Sequence, residues 1–431
     1  HLERMRRVKA VARRLDRPVA VLVDLQGPEI RTDFLNGEES FNAVPDDKIT
    51  FTCDKQLASH QTKTIYVPEK FIQALQPDNS ILIDDGKGEF IVSEKNMTCL
   101  FAHVTEPLVV KRRKTLNTPS VMIDLPSLIE KDLLYIDAAR NDLVDYVALS
   151  FVRNAHDIEM LRAELTKRKL EAAIVAKIEN QSAIDHLDEI ITASDAIMVA
   201  RGDLGVEIPY QELAHWQKLI IQKSRQLAKP VITATQMLQS MINSPRPSRA
   251  EVTDVANAVY DGTDAVMLSD ETTIGQYAVK AVETQTNIAL YTEKFANPPQ
   301  IEPVDTDIAT LITHAAMGLL ASAKGNTALH IDKIVCLTQT GLTARLLSQY
   351  RQSPIIYALT PSEQTYNRLS LVYGIEPVVA TFDADAITHE KIVEKIVALA
   401  IARSGETILL VHGGNWGLPG MTDTIKIIQI P

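Results

Sequence analysis

Two short stretches place charged residues where a catalyst would need them. In "AKIE", Lys177 and Glu179 stand two residues apart, so on a strand both side chains point to the same side. In "AIMVARGDLGVEIP", an apolar run of Ile197, Met198, Val199 and Ala200 hands over abruptly to Arg201, Gly202 and Asp203. Other apolar runs end in the same way. "TATQM" supplies Thr235, "LSDET" supplies Ser269 and Glu271, and "VDLQGPEIR" supplies Asp24, Glu29 and Arg31. Glu179 and Asp203, carboxylates from neighbouring strand ends, make a site for a hard cation. Magnesium takes oxygen ligands, usually only one or two protein carboxylates, and fills the rest with water and substrate oxygens. Lys177 and Arg31 beside such a cation suit a phosphate or a developing negative charge. Gly202 and Gly205 let the backbone turn tightly and approach a ligand closely.

Taken singly, each of these residues has a plainer explanation. Lys177 and Glu179 can form a structural ion pair. Asp203 can cap the helix that follows it, and Thr235 can be a core threonine. Met237, Met241 and Met267 read as core fillers. What favours chemistry is convergence at neighbouring strand ends, and that requires a parallel sheet to carry them. The sequence provides one. "PVAVLVDLQ", "YVALSFV", "AAIVAKIE", "AIMVARGD", "PVITATQM" and "AVMLSDE" are short apolar runs between helical patterns, the signature of a parallel sheet covered by helices. Leu213, Trp216, Ile220 and Leu227 mark one face of such a helix. In this layout ligands bind at the carboxyl ends of the strands.

Two other textures surround that unit. From about Asp33 to Leu116 the helical period fades into apolar and polar alternation, and Asp84-Asp85-Gly86 reads as a hairpin turn. This is a small β domain inserted after the first strand. Beyond the Pro-rich "ANPPQIEPVDTD", the runs "KIVCLTQTG", "PIIYALTP", "EPVVATF", "ETILLVHGG" and "TIKIIQI" describe a second α/β domain.

Composition narrows the class. The 431 residues are 45% hydrophobic and 23% charged, as in an ordinary globular protein of several domains. A net charge of -11 argues against nucleic acid or an anionic membrane as the main partner. The three cysteines, Cys53, Cys99 and Cys336, form no CxxC, so neither a disulfide framework nor a zinc site is expected. No apolar run is long enough to span a bilayer and no signal-peptide pattern opens the chain, so a cytoplasmic location is expected. The first residue is His1 rather than Met, which reads as residues removed or omitted upstream. The absence of GxGxxG after a strand, of GxxxxGK[ST] and of HExxH counts against a dinucleotide-binding dehydrogenase, a P-loop kinase and a zinc peptidase.

"VDLQGPEIRT", "LPSLIEKD", "AKIEN", "SDAIMVARGDLGVEIP", "KPVITATQML" and "SMINSPRPSRAEVTDVANAVYDGTDAVMLSDET" resemble the pyruvate kinase family, over nearly the whole chain. The resemblance implies an α/β fold: a TIM (β/α)8 barrel, an inserted small β-barrel lid and a C-terminal α/β regulatory domain. The corresponding ranges are 1–32 with 117–297, then 33–116, then 298–431. It implies transfer of the phosphoryl group of phosphoenolpyruvate to ADP, giving pyruvate and ATP, by a homotetramer. Glu179 and Asp203 would hold magnesium or manganese, and Lys177 would stabilise charge on the phosphoryl group and enolate. Arg31 would contact the migrating phosphate and the nucleotide. Thr235 would lie on the proton-delivery side, and the amides of Gly202 and Asp203 would bind the substrate carboxylate. Asp24, with the carbonyl of Leu25, would ligate potassium. Asp85 would sit on the closing face of the lid and Lys114 on its nucleotide side.

The chain also departs from the family pattern. Six barrel strands are legible where the family has eight, the first two βα units being absent, so the isolated chain is expected to be poorly active. Thr115 and Ser120 replace hinge glycines. In "TQTGLTAR", Thr338, Thr340, Gly341 and Thr343 resemble a loop that cradles a phosphorylated effector, although a capped turn explains them nearly as well. Trp416 in "HGGNWGLPGMTD" would stack on a sugar or cover the domain. Two other readings stand beside the enzyme: a truncated non-catalytic subunit with a structural or regulatory role, and a metal-dependent barrel lyase or aldolase. Glu29 adds a specific expectation. In this family Glu at that place goes with potassium dependence and Lys with independence, because an ammonium stands in for the cation. ATP formation with magnesium is therefore expected to rise when potassium is added, and an equal rate without potassium would contradict this.

Overall fold

The computed structural model describes residues 1–34, 40–119, 121–304, 306–323, 329–352, 354–382, 388–414 and 421–431. Ser120 and Trp416 lie outside the described residues.

Six parallel strands form the first sheet, in the spatial order Leu22–Asp24, Tyr146–Leu149, Ala173–Ile178, Ala196–Ala200, Val231–Ala234 and Ala265–Val266. Each strand follows its neighbour in the chain, so every connection crosses in the same sense, as in a TIM-like (β/α) barrel. The register brings the carboxyl ends out along one edge. Asp24 stands opposite Ala148, Ile178 opposite Val199, and Ala200 opposite Ala234. Both faces are buried, which is why the strands read as continuous apolar runs. Val147, Leu149, Ile174, Ala176, Ile178, Ile197 and Val199 pack outward with helix residues such as Ile158, Leu161 and Ile220. The alternate residues Tyr146, Ala148, Val175, Ala196, Met198, Ile232 and Ala234 fill the inner face. Lys177 shares this inner parity with Val175, so the strand itself aims the ammonium inward at its carboxyl end.

The covering helices start where their caps dictate. Asn154 accepts from the Asp157 amide ahead of Ala155–Lys167. Ser248 and Glu251 form a reciprocal capping box at the start of Arg249–Asp261, which closes on Gly262 with φ of 88°.

Between the first and second of these strands lies the insert. A six-stranded sheet has the order Thr64–Tyr66, Lys48–Thr52, Cys99–Val104, Gly88–Lys95, Ser80–Ile83 and Leu116–Asn117, and Ser40–Ala43 pairs separately with Leu108–Lys111. Its own core is centred on Phe51, Phe71 and Phe90. Asp84, Asp85 and Gly86 make the turn between Ser80–Ile83 and Gly88–Lys95, all three at positive φ. Met237 and Met241 are buried in a small cluster with Leu238 and Val255, in keeping with a filler role.

The C-terminal sheet has the order Ile375–Val379, Ile356–Thr360, Lys333–Leu337, Thr407–Gly413 and Thr422–Gln429, with only the last strand antiparallel. All five strands coincide with runs legible in the sequence. Separate apolar clusters cover its two faces. Among the described residues no helix is long and apolar enough to cross a membrane.

Buried carboxylates fasten these units at the strand starts. Asp145 receives Lys9 Nζ at 2.6 Å and the Val21 amide at 2.6 Å. Asp264 receives the Val231 amide at 3.0 Å, the Tyr373 amide at 3.0 Å and Arg351 at 2.6 Å. Both side chains of the Arg351–Asp264 pair are 3% exposed, so removing one partner strands a buried charge. Asp264→Ala should lower unfolding stability by about 3–5 kcal/mol. Chemical denaturation checks this, and a loss below about 1 kcal/mol would contradict it.

Candidate active site

Lys177 is the centre of the strand-end cluster. Its Nζ lies 2.9 Å from Glu179 Oε1, 3.3 Å from Asp24 Oδ1 and 2.8 Å from Ser150 Oγ. Burial works against its charge, but Glu179 and Asp24 outweigh burial and hold its pKa above the ordinary lysine range. The ammonium is therefore a fixed cation. Ser150 in turn donates to the Leu25 carbonyl at 2.7 Å, so one hydroxyl ties together the ends of two strands.

Glu179 is 1% exposed and held from the other side by the Phe151 amide, which donates to Oε2 at 2.6 Å. Phe151 has φ of 54°, a costly conformation for an aromatic residue, and it turns that amide toward the carboxylate. Glu179 Oε1 faces Lys177 as an ion pair yet has no aligned hydrogen bond. Such an orphaned buried oxygen has spare capacity for a cation.

Asp203 completes the group, although its strand stops at Ala200. The expected strand end is instead the first turn of a helix, Arg201–Glu207. Burial pushes the Asp203 carboxyl up to about 7, with the charge of Glu179 adding to the effect and Lys177 opposing it. Among the described residues its carboxylate takes no hydrogen bond or ion pair. No group of three or more His, Cys, Asp or Glu among the described residues is arranged as a metal cage. Two under-satisfied carboxylates fit magnesium, which keeps water and substrate oxygens, rather than a caged ion.

The other expected site residues fall in two sets. Thr235 lies beside the cluster's floor. Its Oγ1 accepts from the Gly202 amide at 2.7 Å and donates to the Ala234 carbonyl at 2.7 Å. The Gly202 N–H therefore faces Thr235 in this structure. Thr235 and Gln236 both have positive φ, 68° and 57°, and a β-branched residue in that region is a strained one. Arg31 and Lys114, by contrast, belong to the neck between barrel and insert. Arg31 grips Glu29 at 2.7 Å and the Arg113 carbonyl at 3.1 Å. Lys114 pairs with Asp84 at 2.7 Å. Asp85 receives Thr115 Oγ1 at 3.2 Å, and its charge acts on Asp203.

The insert closes down here. A Cβ on Gly86 would meet Val206 at 3.8 Å, and Asn117 Nδ2 donates to Glu207 Oε1 at 2.8 Å. A cavity of about 260 Å³ remains beneath, walled by Glu29, Thr115, Phe151, Arg153 and Asp203. The loop residues Thr338, Thr340, Gly341 and Thr343 lie elsewhere, in the C-terminal unit. There Thr338 Oγ1 caps the Gly341 amide at 3.0 Å and Thr343 bonds Thr422 at 2.7 Å.

Sequence reasoning missed four contributors. Ser150 and Phe151 follow the apolar run "YVAL" and satisfy the same strand-end rule that singled out Glu179. Asp132, fully buried, accepts from the amides of Gln26, Gly27 and Ile129 and so shapes the loop after Asp24. It is one of three acids in the helix Glu130–Ala138, and nothing in its spacing marked it from Glu130 and Asp137. Arg201 points away from the cluster. It donates to the Ala234 and Thr235 carbonyls and pairs with Asp254 at 2.6 Å, buttressing the strained turn.

Comparison with known proteins gives a consistent result. The family described as "Pyruvate kinase, barrel domain" matches residues 1–282, and "Pyruvate kinase, alpha/beta domain" matches 317–428. A pyruvate kinase of Clostridium acetobutylicum is 37% identical over 440 residues, covering 99% of this chain and 90% of that protein. One of Staphylococcus epidermidis is 37% identical over 445 residues, covering 99% and 73%. The crystal structure of a pyruvate kinase from Cryptosporidium parvum superposes with a TM-score of 0.87 at 30% identity, covering 100% of this chain and 88% of that one.

Glu179→Gln and Asp203→Asn should each weaken manganese binding, read by electron paramagnetic resonance of the free ion. Even outer partners of metal ligands are worth about 10- to 100-fold in affinity, so a loss of at least about tenfold is expected. Unchanged binding in both variants would remove these carboxylates from the metal site.

Proposed function

The chain belongs to the pyruvate kinase family, enzymes that transfer the phosphoryl group of phosphoenolpyruvate to ADP, and we propose that it performs this transfer at the cluster around Lys177. The observation that carries the assignment is a fixed ammonium between Glu179, Asp24 and Ser150, under a closing insert and facing Asp203. Phosphoryl transfer demands positioning and charge neutralisation more than covalent chemistry, and this cluster supplies both.

Each residue then has a role that its surroundings permit. Lys177, kept charged, neutralises the moving phosphoryl group and the enolate left behind. Glu179 and Asp203 would hold magnesium or manganese. That ion, when bound, supplies Lewis-acid polarisation of substrate oxygens. The first turn of Arg201–Glu207 directs the amides of Gly202 and Asp203 toward the substrate carboxylate, the Gly202 amide leaving Thr235 Oγ1 to do so. Thr235 then lies on the side from which the enolate carbon is protonated. Potassium would take Asp24 and the Leu25 carbonyl, next to Glu29.

Arg31 and Lys114 now hold Glu29 and Asp84. Substrate phosphates offer the same acceptor geometry, so we infer an exchange of carboxylate for phosphate as ADP enters, with Arg31 on the migrating group and Lys114 on the nucleotide. The insert, bearing Asp85, excludes water that would compete with ADP. A homotetramer in the cytoplasm and a phosphorylated effector at Thr338, Thr340, Gly341 and Thr343 complete the reading.

Lys177→Met should cut ATP formation from phosphoenolpyruvate and ADP by about 100-fold or more while leaving manganese binding in place. A variant within a few-fold of the parent would overturn the role of Lys177.

A further inference from the structure

At the opposite end of the barrel, where its strands begin, a cavity of about 580 Å³ separates the sheet from the C-terminal unit. Tyr146 and Ala173, the first residues of two strands, form one wall, and the helices Leu342–Ser348 and Glu363–Leu369 form another. Arg345 is among the residues that line it. Its Nε is sealed from water and has no hydrogen-bond partner. Among the described residues no carboxylate comes within ion-pair distance of that guanidinium. Arginine in such a place is costly unless something anionic meets it.

The rest of the wall has the same sign. Arg368, Arg162 and Lys169 join Arg345, against only Glu171 and Asp195. Arg162 is already engaged by Asp195 at 3.2 Å, and Arg368 spends its guanidinium on the carbonyls of Asp145 and Glu171. Arg345 and Lys169 remain uncommitted. In a chain of net charge -11 this is a local positive pocket. Its volume falls within the range of small-molecule sites and exceeds what a bare ion fills.

We propose that this interdomain cavity binds a phosphate group, with Arg345 as its principal ligand, and that the preferred bearer is a small phosphate monoester. Guanidinium offers the paired donors that phosphate oxygens take. The site shares Thr340 with the Thr338–Thr343 turn but not Thr338 or Thr343, whose hydroxyls are spent within their own unit. A ligand here would touch both the barrel and the C-terminal unit. The strand Ala173–Ile178, which starts at its wall, carries Lys177 near its far end, and Asp195 of the wall immediately precedes the strand Ala196–Ala200 that leads to Asp203.

Thermal unfolding of the full chain, titrated separately with inorganic phosphate and glycerol 3-phosphate, tests this. The parent protein should show a saturable rise in melting temperature. Arg345→Met should start at a melting temperature equal to or above the parent, having lost an uncompensated buried charge, and its apparent affinity should fall about tenfold or more. Arg345→Lys, which keeps a cation, should fall between the two. Tighter response to glycerol 3-phosphate identifies an organic monoester. Equal response identifies free phosphate and overturns the preference for a monoester while keeping the site. Identical titrations for parent and Arg345→Met, or no response in the parent, would overturn the site.

Discussion

The buried ion pair of Lys177 and Glu179 is the interaction on which the rest of the structure depends. Two charges at 12% and 1% exposure are expensive to remove from water, and a pair in isolation recovers that cost poorly. The fold compensates with fixed dipoles. The Phe151 amide binds the far oxygen of Glu179, and Ser150 supplies the ammonium with a neutral acceptor. Both come from the end of the neighbouring strand, so the parallel register is itself part of the charge stabilisation. What remains without an aligned hydrogen bond is one oxygen of Glu179 and the whole carboxylate of Asp203, and on the proposed function this unmet charge is what the site offers a cation.

Strain collects around the same point. Phe151, Thr235 and Gln236 sit in left-handed backbone just past strand ends, and Arg201 braces the second of these turns from behind. Conformations of this kind persist only where surroundings over-determine them. Here the surroundings are two fully buried strands and a guanidinium with four acceptors. The opposite end of the sheet is tied differently, by Asp145 and Asp264, which collect amides and cations from distant segments. One end is thus built for rigidity and the other for unmet charge.

Much of this was legible in the amino-acid order. Period-two alternation put Lys177 and Glu179 on one side, and the apolar runs located all six parallel strands and the five of the C-terminal unit. Asp-Asp-Gly announced its hairpin, and the β character of the insert was plain. Other features were hidden because they depend on long-range partners. Asp203 looked like a strand end, but the helix begins immediately at Arg201. Arg201 stands in the same strand-end stretch, and only the position of Asp254 shows that it faces away from the cluster. Arg31 and Lys114 were read as phosphate contacts, and their grip on Glu29 and Asp84 is visible only once the neck strands pair. Asp132 acts through three amides from two loops, a relation that spacing along the chain cannot encode.

The central claim is that Glu179 and Asp203 share a divalent cation within reach of Lys177. Crystals soaked in manganese and oxalate, a stand-in for the enolate of pyruvate, would test it directly through anomalous scattering. The account predicts a single strong peak held by Glu179 and Asp203, with Lys177 alongside. A manganese peak elsewhere, with Glu179 and Asp203 still unligated, would contradict it.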